Sequence, residues 1–344
     1  MTITFSVIIP TRNGAQYIAA ALESVLKQTY PPVQVIVLES GSTDRTLELV
    51  TGYDDPRVQV YSSPDRLGIE GNWARIMRLE LDGYMTILGH DDVLYPNFCE
   101  EIARLIRAEP DASLYGTHFH FMDAESNVRR ACVPIPYRES AAEFMLARHH
   151  FQRDSNATGY VMRAADYRQV GGFPPFPQLL YADDITWYRL SKLAYKVCSP
   201  AIAFAFRQHT GNASHQASVE NWYHAARGYY QALVEAGYMS DPIHRQAARQ
   251  FIEFGVNGQM HHWLVNLIAA NDPAQIAHYY AVKKQLLTAH NQTPMFTIYD
   301  KPTRLYESVL ALPEPVRKIG LRLIRSVRAL RRWRRRQRAT ALNH

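Results

Sequence analysis

In the stretch YMTILGHDDVLYP, Tyr84 to Pro96, an apolar run gives way to two adjacent carboxylates, Asp91 and Asp92, and then to a proline. Like charges this close repel each other and lose hydration unless something positive sits on them. A divalent cation of the Mg2+ or Mn2+ type answers that need, because it prefers oxygen ligands and commonly uses one or two carboxylates together with substrate phosphates. Asp91 and Asp92 therefore read as half of a metal site that a nucleotide diphosphate completes. Taken alone, paired aspartates at a strand end also serve as a helix cap and its solvated neighbour, so the surrounding elements decide.

Those elements alternate. TFSVIIP (Thr4 to Pro10) is a continuous apolar strand, and AQYIAAALESVLKQ then places Ile18, Leu22, Val25 and Leu26 on one helical face. VQVIVLE is a second buried strand, STDRTLELV a helix with hydroxyls available to cap it, and RVQVYSS a third strand. EGNWARIMRLEL reads as the next helix and YMTILG as the fourth strand. Such an order predicts an α/β fold with a doubly wound, mostly parallel sheet and helices on both faces. In open sheets of this kind ligands bind beyond the carboxyl ends of the strands. The polar turns TRNG, ESGSTD and GHDD, which follow the first, second and fourth strands, should then meet at one crevice. From about residue 217 the patterns become all-helical and rich in Ala, Tyr, His and Gln.

With 344 residues, 47% of them apolar, the chain is long enough for about two domains. The three cysteines, Cys99, Cys132 and Cys198, are odd in number and widely spaced, which suits neither a disulfide framework nor a zinc site. His149 with His150, and His261 with His262, lack the i, i+4 spacing of a helical metal pair and read as structural. Without a charged leader followed by an apolar run and a cleavage site, and without an apolar stretch of about 18 residues, the expected location is the cytoplasm. The net charge of +6 is concentrated: from Val316 onward there are 11 Lys and Arg and no acid, which leaves the first 315 residues with 27 basic and 32 acidic groups.

The segment SVIIPTRNGAQYIAAALESVLKQTYPPVQVIVLESGSTDRT resembles the opening of family 2 glycosyltransferases. DRLGIEGNWARIMRLELDGYMTILGHDDVLYPNF is similar to their aspartate-motif region, GYVMRAADYRQVGGF to their acceptor side, YADDITWYRL to their catalytic acidic motif, and FRQHTGNAS to the close of their catalytic domain. The resemblance covers about residues 4 to 216 in the family's order. It implies the GT-A fold for residues 1–216, an inverting transfer from a nucleotide-diphosphate sugar, and a dependence on Mg2+ or Mn2+. Nucleotide contacts then fall to Pro10, Thr11, Glu39, Ser40 and Asp91, and metal contacts to Asp91, Asp92 and His209, with Arg207 an alternative phosphate partner. The base that takes the acceptor's proton falls to Asp183 or Asp184: counting back from Arg189 and Leu190 favours the first, matching the family's acidic pair favours the second. Two positions depart from the family. Glu39 stands where aspartate is usual, and Gly89 stands where an acid usually precedes the key aspartates.

Residues 217–312 are expected to be helical, and 313–344 to form a basic amphipathic tail. Val316, Ile319, Leu323, Val327, Leu330 and Arg334 share one stripe with arginines on its flanks, the pattern of a helix lying on an anionic membrane. No nucleic-acid partner is expected. The whole reads as a cytoplasmic, peripherally attached glycosyltransferase acting on a glycan or lipid-linked acceptor in bacterial surface polysaccharide synthesis (lipopolysaccharide, O-antigen, capsule or exopolysaccharide). A catalytically impaired scaffold or nucleotide sensor, and a sugar-phosphate nucleotidyltransferase, are the alternatives; the latter wants a Gly-rich basic loop that PTRNGAQ lacks.

Overall fold

The chain is seen in a computed structural model that describes residues 3–30, 33–270, 273–292 and 295–298. The tail expected at 313–344 lies outside them. The first half follows the expected alternation: β1 (Phe5–Thr11), α1 (Ile18–Leu26), β2 (Val33–Glu39), α2 (Thr46–Thr51), β3 (Val58–Tyr61), α3 (Gly68–Ala74) and β4 (Tyr84–Ile87). Beyond it come β5 (Val93–Leu94), α4 (Phe98–Ala108), β6 (Leu114–Met122), β7 (Val128–Ala131), β8 (Arg138–Glu139), α5 (Ala141–His149), β9 (Val161–Arg163), α6 (Ala164–Gln169), α7 (Ala182–Leu193) and β10 (Lys196–Arg207). Helices α8 (Ala213–Gln216), α9 (Val219–Glu235), α10 (Pro242–Ala270) and α11 (Pro273–Gln292) complete the described chain. The helix expected over EGNWARIMRLEL tightens after Ala74 into a 3-10 turn, Arg75–Arg78.

The strands form one sheet in the order β3-β2-β1-β4-β9-β6-β10-β5, with β7 on β6 and β8 on β10. Strands β1 to β4 are mutually parallel, as are β6 and β10. Strand β9 runs antiparallel between the two parallel groups. Alternation along β1 explains why its sequence is apolar but for Ser6 and Thr11. Val7 and Ile9 pack with Ile18, Leu22 and Val25 of α1 on one face, while Ile8 packs with Phe144 of α5 and Trp187 of α7 on the other. A strand buried on both faces favours apolar side chains, and the buried Ser6 Oγ accepts from Gln34 Nε2 of β2 at 2.8 Å.

All three cysteines are buried free thiols, and burial lifts Cys99 and Cys198 to about 12. Among the described residues no helix is long and apolar enough to cross a membrane. The chain separates into two compact units, residues 1–217 with 224–247 and residues 218–223 with 248–344. The first therefore takes in helical chain beyond the 216 boundary read from sequence. Aromatic contacts explain the inclusion: Tyr229 of α9 stacks on Tyr181 at 5.0 Å, and Tyr238 lies edge-on to Tyr188 at 5.3 Å.

Candidate active site

The three polar turns do meet. Register pairs Thr11 with Glu39 at the ends of β1 and β2, and the turns beyond are stitched together by main-chain donors. Asn13 N donates to Ser42 Oγ at 2.9 Å, Gly14 N to Thr46 Oγ1 at 2.8 Å, and Ala15 N to Asp44 Oδ2 at 3.2 Å. The hydroxyls expected to cap α2 are thus spent on this stitching, and Asp44 Oδ1 accepts from Thr46 N instead. Asn72 of α3 donates to Thr11 O and Leu38 O, and Arg75 donates to Glu39 O at 2.7 Å. Neither Asn72 nor Arg75 was singled out from sequence, since nothing in EGNWARIMRLEL marks them as lacing strand ends. Gly14 lets the first turn lie against the aspartate turn: a Cβ there would stand 2.8 Å from His90 Cδ2.

Among the residues expected at the nucleotide, Pro10, Thr11, Glu39 and Ser40 are all buried at the ends of β1 and β2. Glu39 Oε1 accepts from Ser42 N at 2.6 Å, and Ser40 Oγ from Leu67 N at 3.1 Å. The buried Thr11 hydroxyl has no hydrogen-bond partner among the described residues, an unmet need at the carboxyl end of β1.

The two central aspartates have opposite surroundings. Asp92 is 2% exposed; its Oδ1 accepts from Arg207 N at 2.7 Å, and its Oδ2 from the Thr158 hydroxyl. Burial and the neighbouring charge of Asp91 push its pKa well above the usual carboxylate range. Asp91 is partly exposed, and its Oδ2 accepts from His209 Nε2 at 2.8 Å and Asn212 Nδ2 at 3.1 Å. Burial opposes its ionisation, but the His209 hydrogen bond and the charge of His90 outweigh that, holding its pKa below normal. Gly211 N donates to His209 Nδ1 at 3.1 Å, so Nε2 carries the proton that goes to Asp91. Arg207 is 1% exposed and donates to the carbonyls of Asp91, Asp123 and Ala124. Through Nε and Nη1 it holds main chain here. Asn212, three residues after His209, completes the cluster.

Gly89 now has a physical reason. A Cβ at that position would lie 2.7 Å from Asp92 Oδ2 and 2.8 Å from Asp91 Oδ1, so no acid fits there without moving both carboxylates. The described residues hold no group of three or more His, Cys, Asp or Glu placed to bind a metal. The donor set that remains is Asp91, with His209 beside it. That set suits a cation held mainly by substrate phosphates, as Mg2+ commonly is.

The second aspartate pair is equally asymmetric. Asp183 and Asp184 open α7, after a turn in which Gln178, Leu179 and Tyr181 all have positive φ. Three such residues in four positions store strain, and strain of this kind clusters at functional sites. Asp184 is 1% exposed and accepts from Arg148 Nε at 2.8 Å. Asp183 keeps partial exposure and forms no ion pair among the described residues; burial and the charge of Asp184 raise its pKa to about 7. A chain of hydrogen bonds joins α7 to the aspartate turn: Trp187 Nε1 donates to Asn156 O at 3.0 Å, Thr158 N to Asn156 Oδ1 at 3.1 Å, and Thr158 Oγ1 to Asp92.

Residues 6–163 match the family model described as glycosyl transferase family 2. An uncharacterized glycosyltransferase of Rickettsia typhi is 38% identical over 96 residues, 28% of this chain and 29% of that protein. The glycosyltransferase GlyG of Streptococcus pneumoniae is 25% identical over 129 residues, 37% of this chain and 43% of that one. The chain thus spans less than half the length of these curated relatives. Among solved structures, S. aureus TarS 1-349 in complex with UDP-GlcNAc superposes with a TM-score of 0.59 at 16% identity, over 91% of this chain and 83% of that one. The mannosyltransferase PcManGT from Pyrobaculum calidifontis, in complex with GDP-Man and Mn2+, gives 0.51 at 16% identity, over 92% and 82%. Likeness at these identities carries the fold, which is GT-A.

Proposed function

Residues 6–163 form a glycosyl transferase family 2 domain, and from that premise we propose that the chain is an inverting glycosyltransferase that moves a sugar from a nucleotide-diphosphate donor to a glycan or lipid-linked acceptor. The observation that carries the mechanism is the contrast at the head of α7. Asp184 is closed by Arg148, while Asp183 is partly open and lifted to about 7. A general base works best when its pKa lies near the operating pH. Asp183 takes the proton of the acceptor hydroxyl as that oxygen bonds to the anomeric carbon, and the bond from that carbon to the diphosphate oxygen breaks on the opposite side.

The leaving diphosphate departs with added negative charge. A divalent cation, Mg2+ or Mn2+, would neutralise part of that charge, and Asp91 is the residue to hold it. Asp92 and His209 support Asp91: the first locks the turn to Thr158 and Arg207, the second fixes the carboxylate's orientation. Thr11, with its unpartnered hydroxyl, and Glu39 beside it take the nucleoside end. Donors of this class are supported by the UDP-GlcNAc bound to TarS and the GDP-Man bound to PcManGT. Attachment to a membrane surface through the arginine-rich tail and a place in surface polysaccharide synthesis complete the proposal. Titration calorimetry of UDP and GDP with and without Mn2+ tests it: binding that needs the metal and weakens at least tenfold in Asp91→Asn is expected. Equal binding by that variant contradicts the assignment.

A further inference from the structure

The carboxylates at the head of α7 are set by two other elements. Arg148, in the last turn of α5, carries its guanidinium to Asp184 Oδ1. The next residue anchors that turn, since His149 bonds the hydroxyls of Tyr229 at 2.8 Å and Tyr238 at 3.2 Å. Tyr229 in turn stacks on Tyr181, the residue before α7. The guanidinium and the pair it faces are therefore held by a common aromatic brace.

We propose that Arg148 is a positioning residue for Asp183: by pairing with Asp184 and holding it inward, it leaves Asp183 the lone proton acceptor of the pair. The inference rests on the reading of Asp183 as the base. Tyr160 and Tyr229 also face both aspartates, and Tyr181 faces Asp184; burial raises all three, so they stay neutral. On the far side of Arg148, His149 is lowered to about 3 and is neutral, while Asp154 is paired with Arg130 at 2.7 Å. The charges that act on Asp183 are then mainly those of Asp184, which raises its pKa, and Arg148, which lowers it. The two ends of one ion pair consequently push Asp183 in opposite directions, whereas a merely structural bridge responds alike to loss of either end.

The test is a carboxyl 13C titration of aspartate-labelled full-length protein, with the Asp183 resonance assigned by its loss in Asp183→Asn. The midpoint is expected to rise by about one pH unit or more in Arg148→Gln and to fall by about one in Asp184→Asn. Arg148→Lys should stay close to wild type, and the double variant should lie between the single ones. Shifts of the same sign, or none, overturn the inference; if Arg148→Gln does not fold, an unmoved midpoint in Asp184→Asn overturns it alone. Unchanged release of UDP from UDP-GlcNAc, or of GDP from GDP-mannose, by Asp183→Asn would instead overturn the base reading beneath it. Reduced release with unmoved titrations overturns the role of Arg148 only.

Discussion

Replacing Asp92 by alanine should unfold the site, whereas replacing Asp91 should disarm it. Asp92 accepts two hydrogen bonds inside the protein, from Arg207 N and the Thr158 hydroxyl, at 2% exposure. Alanine strands both donors, and a stranded buried donor costs about 1–3 kcal/mol. Relief of the burial and of the repulsion from Asp91 that lift the Asp92 pKa offsets part of this, leaving a net loss of about 2–4 kcal/mol. In a unit of this size that lowers Tm by roughly 4–16 °C. Asp91 and His209 retain 16% and 18% side-chain exposure, so water replaces the partners lost in Asp91→Ala, and its cost stays within about 1 kcal/mol. Thermal melts by circular dichroism, run beside Mn2+-dependent UDP binding, separate the two. A melting loss as large in Asp91→Ala as in Asp92→Ala, or none in Asp92→Ala, would refute the division of labour.

Three further outcomes are expected. Lys196 is 1% exposed and shares Glu139 with Arg153 at 2.7 and 2.8 Å; Lys196→Met strips a buried carboxylate of one of its two cations and should cost about 3 kcal/mol in urea unfolding, and a loss below about 1 kcal/mol contradicts this. Burial and the charge of Arg148 hold His149 near 3, below its unfolded value of about 6.5. Its contribution to stability is therefore complete above about 6.5 and is lost as pH falls from there toward about 3, and His149→Gln should flatten that part of the stability profile. Vesicles containing anionic lipid should sediment the full chain, and exchange of Arg331, Arg332, Arg334 and Arg335 for glutamine should release it; retention by neutral vesicles alone would point away from an electrostatic tail.

Periodicity made the first four strands and their helices legible: β1, β2 and β4 are largely buried and read as apolar runs, β3 alternates half-buried and exposed residues, and polar turn residues follow. It could not place β9, whose three residues, Val161–Arg163, are too few to show a period. The candidate site is proposed from residue types at strand and helix ends: Asp91, Asp92 and His209 stand together beyond β4 and β10, and Asp183 and Asp184 stand at the head of α7. Which member of each pair faces inward was not legible, because distant partners set it. Asp92 is turned by Thr158 and Arg207, 66 and 115 positions away, and Asp184 by Arg148, 36 away. Adjacent aspartates are indistinguishable in sequence until those partners arrive. The main-chain role of Arg207 escaped for a related reason, since an arginine at a strand end gives no sign that its donors will close on main-chain carbonyls.

The most direct test of the account is nucleoside diphosphate release from UDP-, GDP- and dTDP-sugars with Mn2+, in wild type, Asp183→Asn and Asp184→Asn. The account predicts metal-dependent release from one donor, rising with pH through about 7, nearly abolished by Asp183→Asn and retained in part by Asp184→Asn. Release that survives Asp183→Asn and is lost in Asp184→Asn would contradict it.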